Sequence, residues 1–195
     1  MVAGIVLAAG MSTRMGELKQ LLPFAQKPTI HWIVETLCES LESVVVVLGH
    51  RSGEIATVLA NSPVQCVINS DYKLGMLSSV KCALQTLGRS ADYLICLGDQ
   101  PRLDKRVVEL VLAAAENSEC GICIPTFNGK RGHPILIKNA YRTEIMGLDL
   151  NNGLNNVTRG HPDDTCEIPI DIASILDDMD TPEDYQRELK LWPKR

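Results

Sequence analysis

The chain predicts an α/β fold, with helices covering both faces of a mostly parallel sheet in three layers. Short apolar runs alternate with segments of helical periodicity through the first 115 or so residues. Within the runs apolarity is continuous rather than alternating, which is the pattern of strands buried on both faces. A length of 195 residues with 45% hydrophobic content suffices for one sizeable core, so residues 1–195 are expected to form a single domain.

The first strand is VAGIVLA, its apolar run extending from Val2 to Leu7. A helix follows over Pro28 to Leu41, with Ile30, Ile33, Val34, Leu37 and Leu41 on one face, and then a strand VVVVLG at 44–49. A helix near 52–60 leads to a strand VQCVIN at 64–69. The spacing of Leu77, Val80, Leu84 and Leu87 predicts a helix over about 75–87, and DYLICLG at 92–98 is the next strand. Asp104 is the N-cap candidate for a helix carrying Val107, Val108, Val111, Leu112 and Ala115, followed by strands near 121–125 and 133–137. Residues 147–165 are polar and rich in Asn, Gly and Asp, which predicts loops around one short helix and a mobile flap over a ligand. Thr181-Pro182-Glu183-Asp184 reads as a capping box with proline at the first helical position of a last helix.

Composition narrows the functional classes. A net charge of −5 and a pI near 5.4 argue against a nucleic-acid partner. No apolar run approaches the roughly 20 residues that span a bilayer, and the N-terminus lacks the pattern of a secretory signal, so no membrane association and a cytoplasmic location are expected. Seven cysteines scattered through strands and helices fit reduced thiols better than a disulfide framework. Cys120 and Cys123 form a lone C-x-x-C at the start of a strand, without a second pair, and are read as structural.

The stretch Leu7-Ala-Ala-Gly-Met-Ser-Thr-Arg-Met-Gly-Glu-Leu-Lys19 carries the most information. A buried strand feeds directly into a loop bearing Gly10 and Gly16, whose amides are free to point at phosphate oxygens, while Arg14 and Lys19 supply countercharge. This predicts a nucleoside-triphosphate site. The five residues between the glycines exclude a Walker A loop, which has four, and the dinucleotide pattern G-x-G-x-x-G is absent as well.

Ligands of an open parallel sheet collect beyond the carboxyl ends of the strands, where both this loop and Gly98-Asp99-Gln100-Pro101 fall. Asp99 is therefore the candidate ligand for Mg²⁺, a hard cation suited to carboxylate and phosphate oxygens. Asn69 ends a strand, and Ser78 and Ser79 open a helix, so these side chains are candidates for the nucleoside or, equally, for helix capping. His133, between Gly132 and Pro134 and after Lys130 and Arg131, is a candidate for gripping an anionic second substrate. Among Asp177, Asp178 and Asp180, one could reach the metal.

In order, LAAGMSTRMGELKQLLPF, NSDYKLGMLSSV, LGDQP, RGHP and DMDTPEDY resemble the molybdenum cofactor cytidylyltransferase family, the MocA-like branch of the MobA-like nucleotidyltransferases. The resemblance implies a Rossmann-like, mostly parallel sheet with one antiparallel strand, as in nucleotide-diphospho-sugar transferases. It implies an enzyme that uses CTP and Mg²⁺ to transfer CMP to the terminal phosphate of molybdopterin cofactor, with a recipient molybdoenzyme as a further partner. Ala8, Ala9, Gly10, Arg14 and Lys19 would contact the nucleotide, with Asn69 and Ser78 or Ser79 near the nucleoside. Arg14, Lys19 and Asp99 would be the catalytic set, Asp99 and Asp180 the metal ligands, and His133 would line the pterin side. Members favouring GTP tend to read LAGG where this chain reads LAAG. The chain departs from the family at LDLNNGLNNVTRG, where a G-D-x-G-A-R-like stretch is common. Two alternatives stay open: a nucleotidyltransferase using GTP or acting on a sugar or isoprenoid phosphate, and a non-catalytic molybdopterin carrier.

Overall fold

The computed structural model describes residues 1–89 and 91–192. Among the described residues, ten strands and seven α-helices follow in chain order. They are β1 (Val2–Ala8), β2 (Pro23–Phe24), β3 (Lys27–Pro28), α1 (Thr29–Cys38), β4 (Ser43–Leu48), α2 (Ser52–Val58), β5 (Gln65–Ile68), α3 (Met76–Thr86) and β6 (Asp92–Leu97). The second half contributes α4 (Lys105–Asn117), β7 (Ile122–Phe127), β8 (Lys130–Arg131), β9 (Ile135–Ile137), α5 (Arg142–Gly147), α6 (Asn155–Gly160), β10 (Thr165–Pro169) and α7 (Pro182–Leu191). Among the described residues no helix is long and apolar enough to cross a membrane.

The main sheet runs β10-β7-β9-β6-β1-β4-β5, with β8 pairing off β7. Every neighbouring pair along this order is parallel except those of β9, which lies antiparallel between β6 and β7. The expected single antiparallel strand is thus β9, and the two-residue β8 adds a short antiparallel hairpin on β7. From β1 the chain steps outward through β4 and β5, then returns to the other side of β1 as β6. This reversal is a topological switch point, and it opens a crevice beyond the carboxyl ends of β1 and β6. Register aligns those ends, with Leu7 opposite both Val47 and Leu97.

Burial on both sheet faces explains the continuous apolar strands. On one face Val6, Val46 and Leu48 pack with Ile30, Ile33 and Leu37 of α1, Ile55 of α2, and Val107 and Val111 of α4. On the other, Ile5, Val45, Val47, Tyr93 and Ile95 meet Leu77, Val80 and Leu84 of α3, with Ile145 of α5 and Val157 of α6. Each fully buried aliphatic side chain of this kind stabilises the fold by about 1.5–3 kcal/mol relative to exposure.

Helix ends obey the sequence signals. The Asp104 side chain accepts from the Arg106 amide at 2.9 Å, capping α4. Thr181 and Asp184 close the capping box of α7, with Pro182 at the helix start. An aromatic cluster fastens α7 to the N-terminal half, Trp192 lying 5.0 Å from Phe24 and 4.4 Å from Trp32 between ring centroids.

Three features differ from expectation. The β2–β3 hairpin and α5 lie where no element was expected, and the polar stretch from 147 ends in the strand β10 after its single α-helix, α6. β10 is an edge strand whose Glu167 and Pro169 face solvent, so it lacks the apolar run that marks the central strands.

Gly98 sets the spacing between β1 and β6 at the crevice. Its amide donates to Leu7 O at 3.0 Å, and a Cβ built there would lie 2.8 Å from that carbonyl oxygen. Gly98→Ala is therefore expected to destabilise the protein by about 1–3 kcal/mol, the range for overpacking a rigid site. Urea denaturation measures this, and an unchanged midpoint would contradict the close approach.

Candidate active site

The loop after β1 begins at Ala9, whose carbonyl accepts from the His50 amide at 3.3 Å. Beyond it the chain leaves the sheet. Among the described residues no internal acceptor meets the amides of Gly10 through Arg14, and no atom lies within 4 Å of a Cβ built on Gly10. The loop is tied down at its far end, where Leu18 is buried and the Lys19 amide donates to Ser12 Oγ at 3.2 Å. Gly10, Ser12 and Lys19 from the loop line a cleft of about 490 Å³, together with Ser79 from α3 and with Asp99, Asp178 and Asp180. That volume lies within the usual range of small-molecule sites.

Lys19 is the centre of the site. Its Nζ donates to Asp99 Oδ2 at 3.0 Å and to Asp180 Oδ1, while Arg14 Nη2 donates to Asp180 Oδ2 at 2.6 Å. Burial pulls the Lys19 pKa down, but hydrogen bonding and charge attraction from Asp180 and Asp99 outweigh it and hold the ammonium above its ordinary value. The Lys19 hydrogen bond in turn holds the Asp180 carboxyl below its ordinary value against its own desolvation, with Arg14 adding to the effect. Asp178, which accepts from Gln100 Nε2 at 2.8 Å, is pushed upward by burial and by the negative charge of Asp99.

These contacts unite residues far apart in sequence. Asp99 leaves β6, and the segment carrying Asp178 and Asp180 returns beside it, the Met179 amide donating to Asp99 O at 3.3 Å. The structure thus brings Ala9, Gly10, Lys19, Ser79, Asp99 and Asp180 to one cleft, with Arg14 reaching it through Asp180. Ala8 is fully buried at the end of β1.

Asn69 and Ser78 lie beside a neighbouring hollow of about 290 Å³. The Asn69 amide donates to Ser78 Oγ at 2.8 Å and to Ser79 Oγ at 3.1 Å, and Ser78 Oγ also lies in hydrogen-bond reach of the Asp71 and Gly75 carbonyls. Their side chains brace the turn that enters α3, where Gly75 sits at φ +100°. Asn69 supports Ser79 from behind and does not line the main cleft.

His133 lies at the same edge of the sheet. Continuing the β6–β9 register places it opposite Leu97, and its amide donates to Ile175 O at 3.0 Å. It does not line the cleft. Burial pushes its pKa down to about 4, so the imidazole is neutral at pH 7 and brings no charge to an anion.

Sequence reasoning missed several cleft residues. Tyr72, Lys73, Met11 and Met76 form part of the wall. Gln20, also in the wall, is 4% exposed, and its buried Oε1 has no hydrogen-bond partner among the described residues. The signal for Gln20 and Lys73 was their position beside Lys19 and Gly75. Nothing local marked Asp178 over Asp177.

Hard oxygen donors at Asp99 and Asp180 fit a divalent cation such as Mg²⁺. Among the described residues no three side chains converge as an all-protein metal cage. A cation held here would therefore complete its shell with water and phosphate oxygens, as Mg²⁺ commonly does.

A glycine-bearing loop at the switch point of a mostly parallel sheet, facing paired carboxylates, is the arrangement of a nucleotidyltransferase. Residues 4–165 match the MobA-like NTP transferase domain, and the chain belongs to that family. It is 30% identical over 183 residues to the molybdenum cofactor cytidylyltransferase of Escherichia coli (strain K12), covering 93% of this chain and 92% of that protein. Among solved structures, Rv0371c from Mycobacterium tuberculosis H37Rv superposes with a TM-score of 0.85 at 22% identity over 97% of each chain. That protein has also been solved in complex with manganese. A nucleotidyl transferase from Methanothermobacter thermautotroptrophicus superposes with a TM-score of 0.84 at 21% identity, covering 98% of this chain and 97% of that one.

The neutral, half-buried His133 has a consequence for acid stability. An unfolded histidine protonates near 6.5, above the folded value of about 4, so acid favours the unfolded chain through this residue. Its contribution is complete above pH 6.5 and is lost as pH falls through that window toward 4. His133→Gln should show a shallower drop of urea midpoint between those pH values than the parent chain; parallel curves would contradict the burial.

Proposed function

We propose that this chain, acting as one nucleotidyltransferase domain over residues 1–195, transfers CMP from CTP to the terminal phosphate of molybdopterin cofactor and releases pyrophosphate. The observation that carries this reading is the Lys19 ammonium shared by Asp99 and Asp180 at the mouth of the Gly10 loop. The relative at 30% identity over nearly the whole chain supports the acceptor. The Ala9 side of the LAAG turn, which lines the cleft, supports CTP over GTP. We place the reaction in the cytoplasm.

In this reading an oxygen of the acceptor's terminal phosphate attacks the α-phosphorus of CTP. The bond from that phosphorus to the bridging oxygen breaks, and pyrophosphate departs with the electron pair. No protein nucleophile is needed, so the chain's task is to position the reactants and to stabilise charge. The amides of Gly10 through Arg14 receive phosphate oxygens. An ammonium has three donors, and Lys19 spends two on carboxylates, leaving one for the phosphates. Arg14 commits one donor to Asp180 and keeps the rest of its fork. Ser79, braced by Asn69, faces the nucleoside. Asp99 and Asp180 would hold Mg²⁺, which when bound neutralises phosphate charge as a Lewis acid.

With CTP, Mg²⁺ and molybdopterin cofactor, the purified chain should release pyrophosphate faster than with GTP or with a sugar phosphate as acceptor. Lys19→Ala and Asp99→Ala should each lower turnover by about 100-fold or more, the scale for removing a charge-stabilising group, with unchanged circular dichroism. A folded variant turning over near the parental rate, or a preference for GTP, would contradict the assignment.

A further inference from the structure

Next to the cleft lies a second group of charges that the proposed chemistry does not touch. Arg102 follows Asp99 by three residues, and Glu188, on α7, is 0% exposed. Arg102 Nε donates to Glu188 Oε2 at 2.7 Å, and its Nη2 donates to Asp177 Oδ2 at 2.5 Å. Arg187 closes the group, with Nε 3.5 Å from Glu188 Oε1 and Nη2 donating to Asp178 O at 3.5 Å. Burial and the charge of Glu188 push Asp177 above its ordinary pKa, against the pull of Arg102.

The net worth of such buried ion pairs to stability is commonly small, since desolvation offsets the attraction. Their geometry is another matter. A guanidinium fork fixes its partners in direction as well as distance, which an apolar contact does not. Here the fork joins the two segments that carry the cleft carboxylates, because Arg102 belongs to the exit of β6 with Asp99, and Asp177 begins the segment that ends in Asp180. The other ties between them are the Met179 amide on Asp99 O and the Gln100 side chain on Asp178 and on Ile175 O at 3.4 Å. Gln100 and the Met179 amide hold the middle of the segment, and Arg102 holds its start against a helix that is itself pinned by a capping box.

We propose that Arg102 and Glu188 are positioning residues, a part-buried clamp that holds Asp180 beside Asp99 for the cation site. The clamp ties the last helix, which lies beyond the family match over residues 4–165, to the cleft carboxylates. The inference rests on the nucleotidyltransferase reading and deepens it: α7 contributes to the cation site without touching substrate.

The test uses the full chain with CTP and Mn²⁺ as the probe, following free Mn²⁺ by electron paramagnetic resonance. Glu188→Gln removes the charge isosterically, and the pair Arg102→Met with Glu188→Leu replaces the clamp by apolar packing that keeps the helix seated; if the first fails to fold, the second decides. Outer residues that orient metal ligands typically matter by 10–100-fold, so Mn²⁺ affinity should fall by about tenfold in either folded variant. Mn²⁺ affinity within about twofold of the parent in a folded variant, whatever its melting temperature, overturns the clamp while leaving the transferase reading intact. A parent chain that binds no Mn²⁺ in the presence of CTP overturns both.

Discussion

The Lys19 ammonium, 11% exposed and donating to both Asp99 and Asp180, joins three segments of chain that the sheet brings together at one edge. Without a cation between them those carboxylates would repel across a part-buried gap, where water screens poorly. The pKa directions reflect this mutual dependence, with lysine held up and Asp180 held down by the same bond. The loop after β1, the exit of β6 and the segment before α7 are therefore one electrostatic unit, although 161 positions separate Lys19 from Asp180.

Rigidity behind this unit comes from the core. β1 is covered on both faces, its register with β4 and β6 fixed by side chains that a one-residue slip would turn to the wrong face. The strand must end where it does, and its loop starts from a fixed point. The loop itself is lightly held between Ala9 and Leu18, the amides of Gly10 through Arg14 meeting no internal acceptor among the described residues. Stable strands deliver an uncommitted loop, the usual division between scaffold and site.

This division also explains what could be read from sequence. Central strands such as VVVVL are legible because burial on both faces writes itself as an unbroken apolar run. The Gly10 loop and Asp99 are legible because their chemistry is local: a strand end, a glycine and a charge within a few residues. β10 and the β2–β3 hairpin were not, since an edge strand or a two-residue pair leaves no periodicity. Asn69 and Ser78 show a different limit. A polar side chain at a helix entrance carries the same sequence signal whether it meets a nucleoside or another side chain, and here the two meet each other. His133 fits the same pattern, its Gly-His-Pro setting marking a turn packed against Ile175. Arg102 and Glu188, 86 residues apart, carry no mark at all, because only the tertiary fold makes them partners.

Charge balance in the cleft bears on the cation that the proposed reaction would use. Asp99, Asp178 and Asp180 face Lys19 and the exposed Lys73 in the wall, with Arg14 at the rim. Acidic and basic groups are matched in number, and the chain as a whole carries −5. In the proposed function a triphosphate would bring several further negative charges, and two of these three cations are already partly engaged, Lys19 twice and Arg14 once. In the same reading, nucleotide accompanied by a divalent cation would arrive partly neutralised and bring a ligand for the carboxylates. In the proposed function this acidic wall would disfavour bare nucleotide and favour the metal-bound form, through the same carboxylate pair that Lys19 holds together.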